Sequence, residues 1–262
     1  MNQNCCIVVP CYNESERFQS VLFQEALQLY PFLTIAFVND GSKDNTHEIL
    51  IEFQHQLPEE LNNRCFVVSY AKNQGKAGAI QTGLTYSIPN KDIDLSLIGA
   101  GEKPQTKFAY FGFWDADLAT SFHELPWFFH FTENQEYLMI MGSRIARLGA
   151  EINRTIFRHY SGRLFATFIS QGLGWKVHDT QCGAKIFKEE IAELIIEKPF
   201  VTAWLFDVEI LLRIRNKLGK QVKSTIIEVP LRAWVDVKGS KIGMKDFIKV
   251  PYQIWKVFRH YN

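Results

Sequence analysis

The sequence predicts an α/β fold with a mainly parallel central sheet flanked by helices. Three observations predict it. Short β-rich apolar runs alternate with helical patterns through the first half of the 262-residue chain, the signature of strand–helix–strand units. One run, Tyr137–Met141, is apolar without interruption, as expected of a strand buried on both faces. Clusters of Asp, Asn, Gly and Ser follow several runs, where an open parallel sheet presents its ligand-binding edge.

The elements follow in order. Cys6–Pro10 reads as a first strand stopping at the proline, and Glu14–Tyr30 as a helix with Phe18, Val21, Leu22, Ala26 and Leu29 at helical spacing, closed by Pro31. Thr34–Val38 is the second strand. Asn45 and Glu48 form a capping box that opens a helix carrying Ile49, Leu50, Phe53 and Leu57. Cys65–Tyr70 is the third strand, and a helix follows over Ala77–Tyr86. Residues 90–106 read as an irregular connection, and Phe108–Trp114 and Tyr137–Met141 as further strands. The second half is more helical: Asn153–Gln171 and Asp207–Leu218 are helices, Thr225–Val229 is a late strand, and Lys245–Tyr261 is an amphipathic helix broken or kinked at Pro251. No linker separates independent domains; residues 1–242 form the main domain and 243–262 a basic terminal helix.

Composition sets bounds. Five cysteines without paired spacing exclude a zinc framework and point to a reducing compartment. No signal peptide and no run of roughly 18–20 apolar residues is present, so the protein is expected to be cytoplasmic, neither secreted nor membrane-spanning. Net charge is +1, yet Arg213–Asn262 holds 12 Lys/Arg against 3 Asp/Glu. That asymmetry, on an amphipathic helix bearing Trp255 and Phe258, predicts peripheral contact with an anionic membrane surface on its inner face. Nucleic acid is not expected as a partner.

Four polar motifs sit at strand ends: Pro10–Glu14, Asn39–Ser42, Asp115–Asp117 and Gly142–Arg144. Asp115 and Asp117 are two residues apart, so on extended backbone both carboxylates face one way. Such a pair needs a cation, and a divalent ion that keeps water and binds substrate phosphates is the usual solution. Asp40, followed by Gly41, is placed to accept hydrogen bonds from a base or ribose. Asn73–Lys76 opens a helix with Gly75 and Lys76, which suits an anion at the helix N-terminus. It is not a Walker A loop, and no G-x-G-x-x-G follows the first strand, which argues against a dinucleotide oxidoreductase.

Taken together, Val8–Glu14, Val38–Thr46, Asn73–Lys76 and Asp115–Asp117 resemble the family 2 glycosyltransferases of GT-A fold, over roughly residues 6–242. The second half, through Gly142–Arg144, Arg154–Arg163, Asp179–Gly183 with Lys185, Trp204–Glu209 and Gly239–Lys241, is most similar to the polyprenyl- and dolichyl-phosphate sugar transferases. The resemblance implies a Rossmann-like nucleotide-binding half joined to an acceptor half. It implies that Pro10, Tyr12, Glu14 and Asp40 hold the base and ribose, with Lys76 toward the phosphates. Asp115 and Asp117 are the implied ligands of Mg2+ or Mn2+. Arg144 and Arg158 are implied to hold diphosphate or acceptor phosphate, and Asp179 and Gln181 to shape the sugar and acceptor pocket. Asp207 and Glu209 are read either as near the site or as structural.

The expected reaction is inverting transfer of a hexose from a UDP- or GDP-sugar. A lipid-phosphate acceptor is already ionised and needs positioning by Arg144, Arg158 or Lys241. A glycan hydroxyl needs a general base, for which Asp179 is the best candidate. A sugar-nucleotide-binding protein without activity is the remaining reading.

Overall fold

A computed structural model describes residues 4–89, 91, 97–98, 103–104, 106–132, 137–153, 156–236 and 244–261. In chain order the strands among them are β1 (Cys5–Cys11), β2 (Leu33–Asn39), β3 (Cys65–Tyr70), β4 (Leu97–Ile98), β5 (Tyr110–Phe113), β6 (Met139–Ser143), β7 (Glu151–Asn153), β8 (Lys185–Phe187), β9 (Ile226–Pro230) and β10 (Ala233–Val235). The helices are α1 (Ser20–Leu29), α2 (Thr46–Gln56), α3 (Glu59–Asn62), α4 (Gly75–Ser87), α5 (Leu125–His130), α6 (Ile156–Leu173), α7 (Glu189–Ile196), α8 (Phe206–Leu218) and α9 (Met244–Tyr261). They divide between two compact units, Met1–Leu118 with Ala184–Glu197, and Ala119–Gly183 with Lys198–Asn262.

In the first unit the strands run in the order β4-β3-β2-β1-β5-β8. β1, β2, β3 and β5 are mutually parallel, while β4 and β8 join antiparallel at the two ends of this set. The parallel strands therefore open their carboxyl ends on one edge. β1 sits between β2 and β5, so the chain reverses its winding direction there, which is where such sheets bind ligands. Every residue of β2 is buried, and burial on both faces requires helices on both sides. α4 lies close against β1 and β2 because Gly83 has no side chain: a Cβ there would come within 2.3 Å of Val8 Cγ1 and 2.9 Å of Val38 Cγ2.

Three local expectations differ from what forms in this unit. The first helix begins at Ser20 rather than Glu14, because the backbone of Glu14–Phe18 is committed to a turn: Arg17 N and Phe18 N both donate to Glu14 O, at 2.9 and 2.8 Å. The buried face of α1 is Phe23, Ala26 and Leu27, leaving Val21 and Leu29 exposed. Phe18 reaches the core from the turn instead, stacking on Phe23 at 5.1 Å and meeting Phe37 and Phe53 edge-on. The capping box does not form. Asn45 makes no capping bond, and Asp44 Oδ1 instead accepts from the backbone N–H and hydroxyl of Thr46, at 3.1 and 2.5 Å. Within the expected irregular connection, Leu97–Ile98 pairs with β3; residues 90, 92–96, 99–102 and 105 lie outside the described residues.

In the second unit β6 pairs in parallel with β9, and β7 with β10. Around α8 the burial is nearly complete, from Phe206 to Ile214, with Asp207, Glu209 and Arg213 included. Glu209 is satisfied by structure: its carboxylate accepts from the backbone N–H groups of Val201 and Thr202, both at 2.8 Å, and from the Thr202 hydroxyl at 2.9 Å. Tyr261 joins the same cluster, accepting from Arg213 Nε at 3.0 Å and donating to Glu209 Oε2 at 3.2 Å. The helix that carries it, α9, continues through Pro251, so of the expected break or kink the break does not occur. Its far end is held by buried Val257 and Tyr261, and tertiary packing of that kind outweighs one missing backbone donor. Among the described residues no helix is long and apolar enough to cross a membrane.

Candidate active site

The loops that leave β1 and β2 are knitted together. Asn13, in the left-handed region at φ 50°, donates its backbone N–H to Ser42 Oγ at 3.0 Å and accepts from the Lys43 N–H at 2.8 Å. Glu14 N donates to Thr46 Oγ1 at 2.8 Å, and Ser15 donates through both backbone and hydroxyl to Asp44 Oδ2. Burial alone would raise the Asp44 carboxyl, but the donors from Ser15 and Thr46 outweigh it and bring the pKa down to about 2. Of the residues expected to hold base and ribose, Pro10 and Tyr12 are half-buried on this scaffold. Glu14 is buried and ion-paired to Arg17 at 2.7 Å.

Asp40 links these loops to α4. Its backbone N–H donates to Cys11 O at 2.8 Å, and its carboxylate accepts the Gln74 N–H at 2.7 Å. Burial raises the Asp40 pKa above the ordinary carboxylate value, against the lowering effect of the Gln74 and Gly75 backbone donors. Gly41 has φ +62°, and a Cβ there would stand 2.5 Å from the backbone nitrogen of Asn73. The Asp40–Gly41 pair is thus fixed by close backbone approach to the start of α4, a reason that goes beyond turn formation.

Asp115 and Asp117 follow β5 at the same edge. The extended-strand argument for their common direction does not hold, because the chain turns there: Leu118 N donates to Asp115 O at 3.2 Å, and Leu118 takes φ 52°. Both aspartates are half-buried. Asp115 Oδ1 is 2.5 Å from Lys76 Nζ, with both side chains 37% exposed, and Gln19 Nε2 donates to the Asp117 carbonyl at 3.3 Å. Among the described residues no group of three or more His, Cys, Asp or Glu is placed to hold a metal. Two water-accessible carboxylates are a partial oxygen set, which fits a hard cation that completes its shell with phosphate oxygens and water and does not fit a closed structural metal.

The second unit contributes a separate cluster. Arg144 follows β6 and grips Asp179 in three ways: Nε to Oδ2 at 2.7 Å, Nη2 to Oδ1 at 2.8 Å, and its backbone N–H to Oδ2 at 3.0 Å. Its guanidinium also lies 5.6 Å from the centre of the Trp234 ring. Glu228, on β9, receives the backbone N–H groups of His178 and Asp179. Beside this grip, Ser143 Oγ, Thr180 Oγ1 and Gln181 Nε2 are buried without a hydrogen-bond partner among the described residues. Buried polar atoms are nearly always paired, so three orphans in adjoining segments mark a place where a ligand or water supplies the partner.

Sequence reasoning picked out Arg144, Asp179 and Gln181 but missed Ser143, Thr180 and the anchoring role of Glu228. Ser143 and Thr180 lie inside motifs already singled out; Glu228 carried no signal, being one acidic residue on a strand. Asp207 is buried at the start of α8 and Glu209 is a framework residue. The side chain of Arg158, on α6, lies outside the described residues, as do Arg154 and Gly239–Lys241.

A switch-point sheet edge with an Asp-Ala-Asp turn in the first unit, and a cluster built on an arginine in the second, define an α/β transferase of the GT-A kind. Residues 6–195 match the glycosyl transferase family 2 profile, and the chain belongs to that family. It is 30% identical to a dolichyl-phosphate β-glucosyltransferase of Trichomonas vaginalis, over 95% of this chain and 69% of that one. To the human dolichyl-phosphate β-glucosyltransferase it is 29% identical, over 95% and 70%. Its fold is similar to that of glucosyl-3-phosphoglycerate synthase from Mycobacterium tuberculosis in complex with UDP, with a TM-score of 0.66 and 16% identity, covering 99% of this chain and 80% of that one. The same synthase has been solved with Mn2+ and UDP-glucose, and there the TM-score is 0.65 at 16% identity, over 99% and 79%.

Proposed function

We propose that this glycosyltransferase moves a hexose from a nucleoside-diphosphate sugar, of the UDP-glucose or GDP-mannose type, to a polyprenyl or dolichyl phosphate. The observation that carries the reading is the character of the Arg144 cluster. Its carboxylates are engaged, Asp179 by Arg144 and Glu228 by backbone donors, while the atoms without a partner among the described residues are two hydroxyls and an amide nitrogen able to donate. A corner rich in donors suits an acceptor that arrives as an anion. A hydroxyl acceptor would need a base, and both oxygens of Asp179 already accept hydrogen bonds from Arg144, which disfavours that role. The names of the relatives point to the same acceptor class.

A phosphate oxygen of the acceptor attacks the anomeric carbon as the bond from that carbon to the diphosphate breaks, and the electron pair leaves on the diphosphate. Attack from the opposite face inverts the configuration. Asp40, Pro10, Tyr12 and Glu14 are assigned to the base and ribose, and Arg144 with Arg158 to phosphate; Gln181 is assigned to the sugar or acceptor. A divalent cation such as Mg2+ or Mn2+, when held by Asp115 and Asp117, would supply positive charge for the leaving diphosphate. Mass analysis of products from UDP-glucose or GDP-mannose, offered a polyprenyl phosphate and a sugar alcohol in parallel, tests the reading. Transfer to the hydroxyl with none to the phosphate would sink it.

The exposed face of α9 favours a peripheral seat on the inner face of an anionic membrane. Tyr252 and Trp255 are 64% and 53% exposed, their rings stack at 6.0 Å, and Arg259 lies 5.0 Å over Trp255. Aromatic rings beside cations are what an interfacial helix presents to acidic headgroups. Co-sedimentation with phosphatidylserine vesicles should fall on replacing both rings by serine, and equal binding to neutral vesicles would count against it.

A further inference from the structure

Lys76 is bound to a residue that the proposed reaction reserves for a metal. Its Nζ sits 2.5 Å from Asp115 Oδ1, with both side chains 37% exposed. It is the second residue of α4, whose first turn contains no acidic residue and whose N-cap, Gln74, makes no side-chain capping bond. The start of that helix is fixed by Asp40, which takes the Gln74 N–H, and by the close approach of Gly41 to Asn73. The lysine therefore projects from a rigid base, on a flexible stem, at an electropositive helix end.

We propose that Lys76 is an internal counter-cation for Asp115 that exchanges partners when the donor binds. With no ligand, the ammonium pairs with Asp115 and offsets the charge of that carboxylate. A divalent ion approaching that pair meets a lysine already in contact with one of its ligands, and like-charge repulsion lowers its affinity. A nucleoside diphosphate changes the balance. Its phosphate oxygens give the ammonium a new anion at the α4 N-terminus and give the cation oxygen ligands beyond the two carboxylates. Metal and nucleotide thus each bind weakly alone and strengthen one another, and linkage makes the coupling factor the same in both directions. The lysine would also keep the carboxylate pair from gathering stray cations between turnovers. This inference rests on the assignment of Asp115 and Asp117 to the metal.

The test is Mn2+ binding without nucleotide, by calorimetry or by the spin resonance of the free ion, on the full chain. Lys76→Met should bind Mn2+ alone more tightly than wild type by about threefold to fivefold, the order expected when a half-exposed ion pair no longer has to be displaced. Lys76→Arg should stay within about twofold of wild type. With saturating UDP, wild-type affinity for Mn2+ should rise by about tenfold or more, and that gain should shrink in Lys76→Met. Unchanged or weaker Mn2+ binding by Lys76→Met, while Asp117→Asn abolishes it, overturns the exchange and leaves the metal assignment standing. Mn2+ binding that survives Asp117→Asn, or wild type that binds no Mn2+ with or without UDP, overturns both. Circular dichroism of each variant separates a binding change from a failure to fold.

Discussion

Asp179→Asn separates the two jobs proposed for this carboxylate, chemistry on the acceptor and positioning of Arg144. In the structure its oxygens take three donors from Arg144, at 2.7, 2.8 and 3.0 Å, with side-chain exposures of 15% for Arg144 and 9% for Asp179. Breaking a fully buried pair from one side costs about 3–5 kcal/mol. Asparagine keeps one acceptor oxygen, which retains the bonds to the Arg144 backbone N–H and Nε, but turns an amide donor toward Nη2. About 2 kcal/mol of lost stability follows, since one charge-assisted bond and the ionic term disappear. For a chain of this size each kcal/mol moves Tm by about 2–4 °C, so the expected shift is about 4–8 °C. Scanning calorimetry without ligands measures it. Transfer to a polyprenyl phosphate should fall about tenfold to a hundredfold, through loss of Arg144 positioning. An unchanged Tm would show that the grip is not formed in solution. A folded variant with no phosphate transfer whatever would show that Asp179 acts chemically and that the positioning argument is wrong.

Three further substitutions probe the scaffold. Gly41→Ala forces a side chain into left-handed backbone and to within 2.5 Å of the Asn73 nitrogen, so its denaturation midpoint should report a loss of about 3 kcal/mol; a neutral result would mean that the start of α4 can move. Asp44 has a folded pKa of about 2, below its unfolded value of about 3.9. Its stabilisation is therefore present above pH 4 and lost as the pH falls through 2, so Asp44→Asn should cost about 1 kcal/mol at pH 7, after allowance for solvent exposure, and nothing near pH 1.5. Equal urea midpoint offsets at both pH values would contradict the sign. Tyr261→Phe removes one partner each from Arg213 and Glu209; chemical denaturation should show a loss of about 1–3 kcal/mol, and unaltered hydrogen exchange along α9 would argue that the hydroxyl does not hold the helix.

Strands such as β2 and β3 were legible because continuous apolar sequence has few alternatives to a doubly covered strand. The motif residues were legible because polar, glycine-rich stretches after strands fall on one edge of a parallel sheet. Helix starts were not, since they depend on bonds between loops distant in sequence. Nothing near Ser15 announces that Asp44, 29 residues on, will take its donors and delay α1 to Ser20. β8 was missed because Lys185–Phe187 is three residues long and contains a lysine that ends up fully buried, 5.1 Å from the Phe113 ring. The pairing of Lys76 with Asp115 was invisible for the same reason: each residue had a sound local explanation, and only the sheet brings them together.

The placement of β8 has a consequence for how the chain comes to exist. In the first unit β5 is covered on one side by β8, a strand made only after residues 114–184 have been synthesised. At roughly 5–20 residues per second, β5 waits several seconds on the ribosome with one hydrogen-bonding edge uncovered. A fragment ending at Leu118 would keep every nucleotide-side motif and still expose that edge, so it should aggregate rather than bind. Adding back Ala184–Glu197 by circular permutation would cover that edge of β5.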